Sequence, residues 1–326
     1  MVLENKSILI TGGTGTFGKR LVQTILANHN PKRLVIFSRD ELKQSEMAEV
    51  WNPTKYPCLR YFLGDVRDKE RLMRAFQDVD IVVHAAALKQ VPALEYNPLE
   101  AIKTNVYGTQ NVIDAAIDNN VDKVLLISTD KAVQPINLYG ATKLCAEKLS
   151  IAANVYRGDG RTKFSVVRYG NVIRSRGSLL ELIERQRPTG RLTLTDERMT
   201  RFLIPLERVM DAIFFALEHM QGGEVFIPKM NSFRIVDVMK MLAPECSTEI
   251  IGIRPGEKIH EVLITEHEAL KTKDPGPVFV ILPAHGQIGE YAWLADKPFF
   301  PENSMYVSDH PHYLIPAQQA IEILRI

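Results

Sequence analysis

The first half of the chain alternates short β-branched apolar runs with longer segments whose apolar positions recur every three or four residues. Residues 7–11, 33–38, 59–63, 81–86 and 123–128 read as strands, with helical patterns such as 16–29 and 94–119 between them. That alternation predicts βαβ units and a parallel sheet. The strands are apolar almost throughout (ILI, LVIF, IVV, VLLI), which places helices over both faces of the sheet. A sixth strand, 163–168, follows the helix around 139–156. After Val172 the rhythm degrades into an Arg-rich stretch, short strands at 191–194, 224–228, 249–253 and 278–282, and a Pro- and aromatic-rich tail that ends in a helical 316–326. The expected architecture is α/β, a doubly wound parallel sheet with a smaller C-terminal substrate lobe. Residues 1–172 form the sheet domain and residues 173–326 the interleaved lobe. Because apolar helical segments such as 206–219 still resemble sheet-covering elements, parts of 202–230 are expected to return to the first domain.

Composition narrows the function. With 326 residues, 45% of them hydrophobic and 24% charged, the chain is long and apolar enough to bury a core. Its 40 Lys+Arg against 39 Asp+Glu give a formal charge of +1, so no overall field favours nucleic acid or an anionic membrane. Cys58, Cys145 and Cys246 are far apart and form no Cys-x-x-Cys spacing, which predicts neither a disulfide framework nor a metal site. A strand pattern begins after six residues, without a leader, and no apolar run approaches membrane-spanning length, so the expected location is the cytoplasm.

Directly after the first strand comes Thr11-Gly12-Gly13-Thr14-Gly15-Thr16-Phe17-Gly18, and then a helix. In a strand–turn–helix context such glycines let backbone approach a pyrophosphate, whose charge the helix N-terminus stabilises. This predicts a Rossmann-like dinucleotide site. The second strand ends Ser38-Arg39-Asp40, with Lys43 one turn on; cations there suit the 2′-phosphate of NADP. Asp40 reads either as the acid that would accept a ribose hydroxyl of NAD or as a helix N-cap. Asp65 and Val66 are placed to meet the adenine, and Ala85 and Ala86 to run along the pyrophosphate and ribose. Tyr139 and Lys143, four apart on one helix face, follow Ser128-Thr129; an ammonium beside a phenol favours the phenolate and general-base chemistry. His84 reads as a strand-end structural histidine. Between Phe164 and Arg208 there are nine arginines and no lysine, a composition suited to a diphosphate, although most are expected at solvated or subunit-contacting faces.

These residues resemble the extended short-chain dehydrogenase/reductase family. The resemblance narrows at Ser128-Thr129-Asp130-Lys131, where retaining hexose 4,6-dehydratases typically carry Asp-Glu and epimerases lack a paired acid and base. With SRDELKQ, AALKQVP, TNVYGTQNV, NLYGATKL, RYGNV, RMTRF and IGIRPGEKIHE, the chain is similar to the inverting UDP-N-acetylglucosamine 4,6-dehydratases that open pseudaminic-acid synthesis, nearly continuously to Glu261. The resemblance implies a redox-neutral NADP cycle. Tyr139, held by Lys143 and Thr129, takes the 4-OH proton as hydride leaves C4. Lys131 then removes the C5 proton, Asp130 protonates the departing 6-hydroxyl, and hydride returns to C6. Protonation of C5 from the opposite face would give UDP-2-acetamido-2,6-dideoxy-β-L-arabino-hexos-4-ulose. For Lys131 to act as a base its pKa is expected to fall well below the ordinary lysine range.

By the same resemblance Ala87, Asn105 and Val172 join the cofactor site. Lys89 and Asn171 approach the sugar, Ser175, Arg176, Gly177, Ser178, Leu179 and Leu180 cover the nucleotide, and Thr195, Arg201, Arg254 and Glu257 complete the substrate side. A homo-oligomer, with a hexamer as the family form, is also implied. Where the family reads Gly-Asn-Val-x-Gly-Ser-Arg-Gly-Ser, this chain has Arg174 in place of the second glycine, which bears on loop geometry and sugar choice if that backbone needs positive φ. The competing readings are a retaining dehydratase or C4 epimerase on a related UDP-sugar, and a non-enzymatic NADP sensor.

Overall fold

A computed structural model of the protein describes residues 2–158, 160–175, 177–284 and 288–324. Six parallel strands, β1 (Ser7–Thr11), β2 (Arg33–Ser38), β3 (Leu59–Leu63), β4 (Ile81–His84), β5 (Lys123–Thr129) and β6 (Lys163–Tyr169), form the heart of a nine-stranded sheet. Their spatial order is β6-β5-β4-β1-β2-β3, the doubly wound, Rossmann-like arrangement. Alternate residues serve opposite faces. Ile8, Ile10, Leu34, Ile36, Ile81, Val83 and Leu125 pack into the core under helices Thr16–Asn28 and Leu206–His219. Leu9, Val35, Val82 and Val124 pack into a second core under helices Lys69–Ala75 and Gly108–Asp118. Burial on both faces is why these strands carry no polar stripe.

Beyond β6 the sheet continues with Val225–Pro228, parallel to β6, and then with the antiparallel strands Val278–Ile281 and Thr272–Lys273. Residues 278–282, assigned from sequence to the lobe, are therefore an outer strand of the main sheet; Val278–Ile281 is wholly buried and pairs with Val225–Pro228 along its full length. The pattern expected as one helix over 94–119 is four elements: Val91–Tyr96, Pro98–Ala101, a π-helical turn Ile102–Tyr107, and Gly108–Asp118. Pro98 forces the break, because the residue before a proline is pushed out of the helical region and Asn97 sits at φ −121°.

Among the described residues the lobe carries three small sheets, packed with helices such as Leu179–Gln186 and Ile235–Leu242. Asn171–Val172, Thr200–Ile204 and Asn231–Arg234 form one, Arg191–Leu194 pairs with Ser247–Ile250, and Val262–Ile264 pairs with Tyr306–Val307. Tyr306 is fully buried, and its hydroxyl both donates to the Met230 carbonyl and accepts from the Met230 N–H at 2.6 Å. The tail is thus tied into the body of the molecule. No helix among the described residues is long and apolar enough to cross a membrane, and none of them form a group of three or more His, Cys, Asp or Glu that could hold a metal ion.

Candidate active site

One cleft of about 1370 Å³ runs over the C-terminal ends of the central strands and beneath the lobe. Gly12, Thr14, Gly15, Thr16 and Phe17 line it at the end of β1, Ser38, Arg39, Asp40 and Lys43 after β2, and Asp65 and Val66 after β3. Ala85, Ala86, Ala87 and Lys89 continue the wall after β4, and Thr129, Asp130, Lys131, Tyr139 and Lys143 form its centre. The lobe contributes Asn171, Val172, Ser175, Gly177, Ser178, Leu179 and Leu180, together with Thr195, Arg201, Arg254 and Glu257. Two expected residues stand behind the wall instead. Gly18 packs its helix onto the loop, where a Cβ would lie 2.4 Å from the Gly13 carbonyl oxygen. Asn105, on the π-helical turn, joins Leu88 through both backbone groups (2.8 and 2.9 Å) and donates to Thr142 Oγ1 at 3.0 Å. Arg176 lies outside the described residues.

The glycine loop fits a dinucleotide. Gly12 has φ +67°, and a Cβ there would meet the Ala86 nitrogen at 2.9 Å, so the loop lies against the strand end with no room for a side chain. Gly15 caps helix Thr16–Asn28 without a side-chain hydrogen bond, leaving the first-turn N–H groups open to an anion. At the end of β2, Asp40 caps the next helix by accepting from the Lys43 N–H at 3.0 Å, and Lys43 Nζ closes on the same carboxylate. That contact holds the Asp40 carboxyl below the ordinary carboxylate range. Arg39 is half exposed, 3.4 Å from Asp65.

His84 accepts at Nδ1 from the Thr11 hydroxyl (2.7 Å) and donates from Nε2 to Thr109 Oγ1 (3.1 Å), the tautomer that follows because Thr109 spends its only proton on the Asn105 carbonyl. Burial, reinforced by the Lys143 charge, pushes its pKa down to about 3. It is a neutral brace between strand ends and the first turn of helix Gly108–Asp118.

At the centre, β5 runs straight into a 3₁₀ turn, Asp130–Ala132, pressed under helix Leu138–Tyr156. Gly140 makes this approach possible: a Cβ there would stand 2.1 Å from the Lys131 carbonyl oxygen. Lys131 Nζ lies 3.0 Å from Asp130 Oδ1 and 3.2 Å from Glu261 Oε1, and both carboxylates are buried. Burial alone would lower the lysine's pKa, but Asp130 and Glu261 more than offset it and hold the ammonium above the ordinary lysine range. The expected drop is therefore corrected: two anions outweigh desolvation. Tyr139 also departs from expectation, here because desolvation dominates. Burial pushes the phenol up to about 12, and the nearby cation pulling it back is Lys131. Lys143 instead turns its Nζ onto the Ile127 carbonyl at 2.7 Å, and burial lowers its pKa to about 8 against the pull of Glu147.

Several buried polar atoms of the cleft have no hydrogen-bond partner: Thr104 Oγ1, Ser128 Oγ, Asp130 Oδ2 and Asn171 Oδ1. Such atoms cost stability unless a ligand completes them. Arg201 uses its guanidinium on the carbonyls of Thr200, Lys258 and Ile259 (2.7 to 2.9 Å), so it anchors the 257–261 segment from the cleft wall. Arg174 sits at φ +57°, the left-handed region that a glycine favours, with its side chain exposed and not on the wall. Sequence reasoning missed Glu261 and Tyr169. Tyr169 was detectable, since the parallel register pairs it with Thr129 at the strand ends. Glu261 lies in the IGIRPGEKIHE segment, but only the folded lobe brings it to Lys131.

Comparison with known proteins agrees with this geometry. The family model described as "Polysaccharide biosynthesis protein" matches residues 8–283. A Campylobacter jejuni protein named UDP-N-acetylglucosamine 4,6-dehydratase (inverting) is 52% identical over 285 residues, 87% of this chain and 84% of that one. A Rickettsia typhi protein named UDP-glucose 4-epimerase is 42% identical over 296 residues, 88% and 86% of the two chains. The X-ray structure of Pen from Bacillus thuringiensis superposes with a TM-score of 0.89 at 36% identity, over 100% of this chain and 99% of that one. With a family model spanning the sheet and most of the lobe, the chain belongs to the polysaccharide biosynthesis protein family.

Proposed function

We propose that the chain is a UDP-N-acetylglucosamine 4,6-dehydratase that inverts C5 and works with NADP. The observation that carries this reading is the buried carboxylate–lysine pair, Asp130 and Lys131, on the cleft wall beside Tyr139. C4 epimerisation needs one base at one hydroxyl; loss of water across C5 and C6 needs an acid and a second base as well. The name of the Campylobacter relative supports the same choice over the more distant epimerase name.

The glycine loop and the bare helix end would hold the pyrophosphate, and Ser38, Arg39 and Lys43 would meet the 2′-phosphate, with Asp40 occupied as a helix cap. The chemistry that a bound dinucleotide would supply is a hydride acceptor for C4 and a hydride donor for C6. Tyr139 acts as its phenolate, the form that the Lys131 charge favours against burial, and takes the 4-hydroxyl proton at its phenolic oxygen. The 4-ketone makes the C5 proton acidic. Transfer of one proton from Lys131 Nζ to Asp130 Oδ1, across 3.0 Å, creates both groups the elimination requires: a free amine that takes the C5 proton and a carboxylic acid that protonates the departing O6. After the step the ammonium–carboxylate pair is restored. Protonation of C5 on the opposite face, by a proton drawn from solvent, completes the inversion.

We place the activity in the cytoplasm, at the head of a route to pseudaminic acid or a related L-sugar. A homo-oligomer, a hexamer by family resemblance, fits the exposure of Tyr96, Leu99 and Tyr107 on consecutive helical elements. Lys131→Ala tests the reading. The variant should bind NADP as the parent does and lose at least about a hundredfold in turnover of UDP-N-acetylglucosamine; unchanged turnover would remove Lys131 from the mechanism, and a parent protein that leaves UDP-N-acetylglucosamine untouched would remove the dehydratase.

A further inference from the structure

Lys131 is held from two sides. Asp130 lies on its own turn, but the second carboxylate, Glu261, comes from the lobe and does not line the cleft. Glu261 reaches the ammonium from behind with Oε1, while its other oxygen is buried without a hydrogen-bond partner. The segment carrying it is fixed on three sides. Arg201 donates to the carbonyls of Lys258 and Ile259, and Lys258 Nζ donates to the Val133 carbonyl at 2.5 Å, tying the segment to the turn that bears Lys131. From the tail, Ser308 Oγ accepts from the Glu261 N–H at 2.8 Å and lies 2.6 Å from Thr200 Oγ1, while the Ser308 N–H donates to the Glu261 carbonyl at 2.9 Å. Ser308 is fully buried. This is a great deal of anchoring for one carboxylate that never faces the substrate space.

We infer that Glu261 is the positioning residue for Lys131, setting the place and the proton affinity of its amine, and that the C-terminal tail takes part in catalysis by fixing Glu261 through Ser308. The inference rests on the dehydratase reading for its kinetic consequence only. When Asp130 has given its proton to O6 and Lys131 has taken one from C5, Glu261 keeps the new ammonium paired on its far side. The other titratable and charged groups around Lys131 are Asp130, the Tyr139 phenol, and the cations Arg201 and Lys258, both of which lie 3.8 Å from Glu261; the cations oppose the ammonium, and removal of Glu261 takes away a carboxylate that offsets them both, leaving Glu257 beside Arg201.

The test is pH-dependent labelling of Lys131 with an amine-specific acylating reagent, read by mass spectrometry on the full chain without substrate, for the parent, Glu261→Gln, Glu261→Asp and Ser308→Ala. Loss of one adjacent carboxylate lowers the pKa of an ammonium by about one unit or more, so Lys131 of Glu261→Gln should label roughly tenfold faster near pH 8. Glu261→Asp should restore much of the protection, and Ser308→Ala should label at an intermediate rate. In turnover of UDP-N-acetylglucosamine, Glu261→Gln should lose roughly tenfold or more in kcat with KM within about twofold, since Glu261 lies off the cleft wall. Labelling unchanged in both Glu261→Gln and Ser308→Ala overturns the inference, as does unchanged kcat in a variant whose labelling has risen. Faster labelling with a parent protein that does not turn over UDP-N-acetylglucosamine leaves the Lys131–Glu261 assignment standing and sinks the dehydratase reading.

Discussion

Lys131 meets two buried carboxylates within 3.2 Å, and this one arrangement changes the chemistry expected of it. A lysine desolvated alone becomes a free amine near neutral pH; one clamped by anions stays charged. In the mechanism we propose, its basicity is released by moving a proton within the pair, which ties the removal of C5–H to the protonation of O6. The dipeptide Asp130-Lys131 was legible in the sequence, whereas the direction of the lysine's shift was not, because Glu261 arrives through tertiary contact. The same holds for Lys143, whose spacing from Tyr139 was correct but whose ammonium is taken by the Ile127 carbonyl. His84 supports a pH prediction at this scale. Its folded pKa of about 3 lies below its unfolded value near 6.5, so the contribution it makes to stability is complete above about pH 6.5 and is lost as pH falls toward 3. In ring-proton NMR one histidine should stay neutral from pH 8 to pH 4 and vanish from the spectrum in His84→Gln; titration of that signal near pH 6.5 would contradict its burial between Thr11 and Thr109.

The elements that matter are those that break regular structure beside the cleft. The π-helical turn Ile102–Tyr107 interrupts a pattern that reads as one helix, and it carries Asn105 to the loop after β4. Periodicity alone cannot show such a turn, and Pro98 marks only the earlier break at Asn97; the six parallel strands, by contrast, were readable to within two residues because both of their faces are buried. The outer strand Val278–Ile281 was readable as a strand but not as part of the main sheet, since its partner choice depends on non-local pairing. Asn105→Ala would strand the Leu88 N–H and carbonyl without partners. It should destabilise the protein by about 1–3 kcal/mol in urea unfolding and lower turnover through the displaced loop that carries Lys89. An unchanged unfolding midpoint would show that the loop holds itself. Arg174 shows the opposite case: the chain keeps the backbone of a glycine without the glycine, at a cost of about 1 kcal/mol, and points the side chain outward.

At the scale of the molecule, the parallel sheet supplies a cofactor platform, and the lobe supplies a roof whose charged groups reach the chemical centre. The tail, silent in the sequence, closes the structure: Tyr306 seals a core and Ser308 holds the lobe segment that carries Glu261. The residues we assign to substrate, cofactor and acid–base chemistry thus line one cleft built from both halves of the chain. The central claim is that this cleft removes water across C5 and C6 and inverts C5. It is tested most directly by NMR of the purified protein with UDP-N-acetylglucosamine and NADP in D2O, following the 6-methyl signal, deuterium at C5 and the C5 configuration. The account predicts a 4-keto-6-deoxy sugar of L-arabino configuration, deuterated at C5, formed without net consumption of NADP. A C4 epimer that retains its 6-hydroxyl, or a 4-keto-6-deoxy product with C5 unchanged, would contradict it.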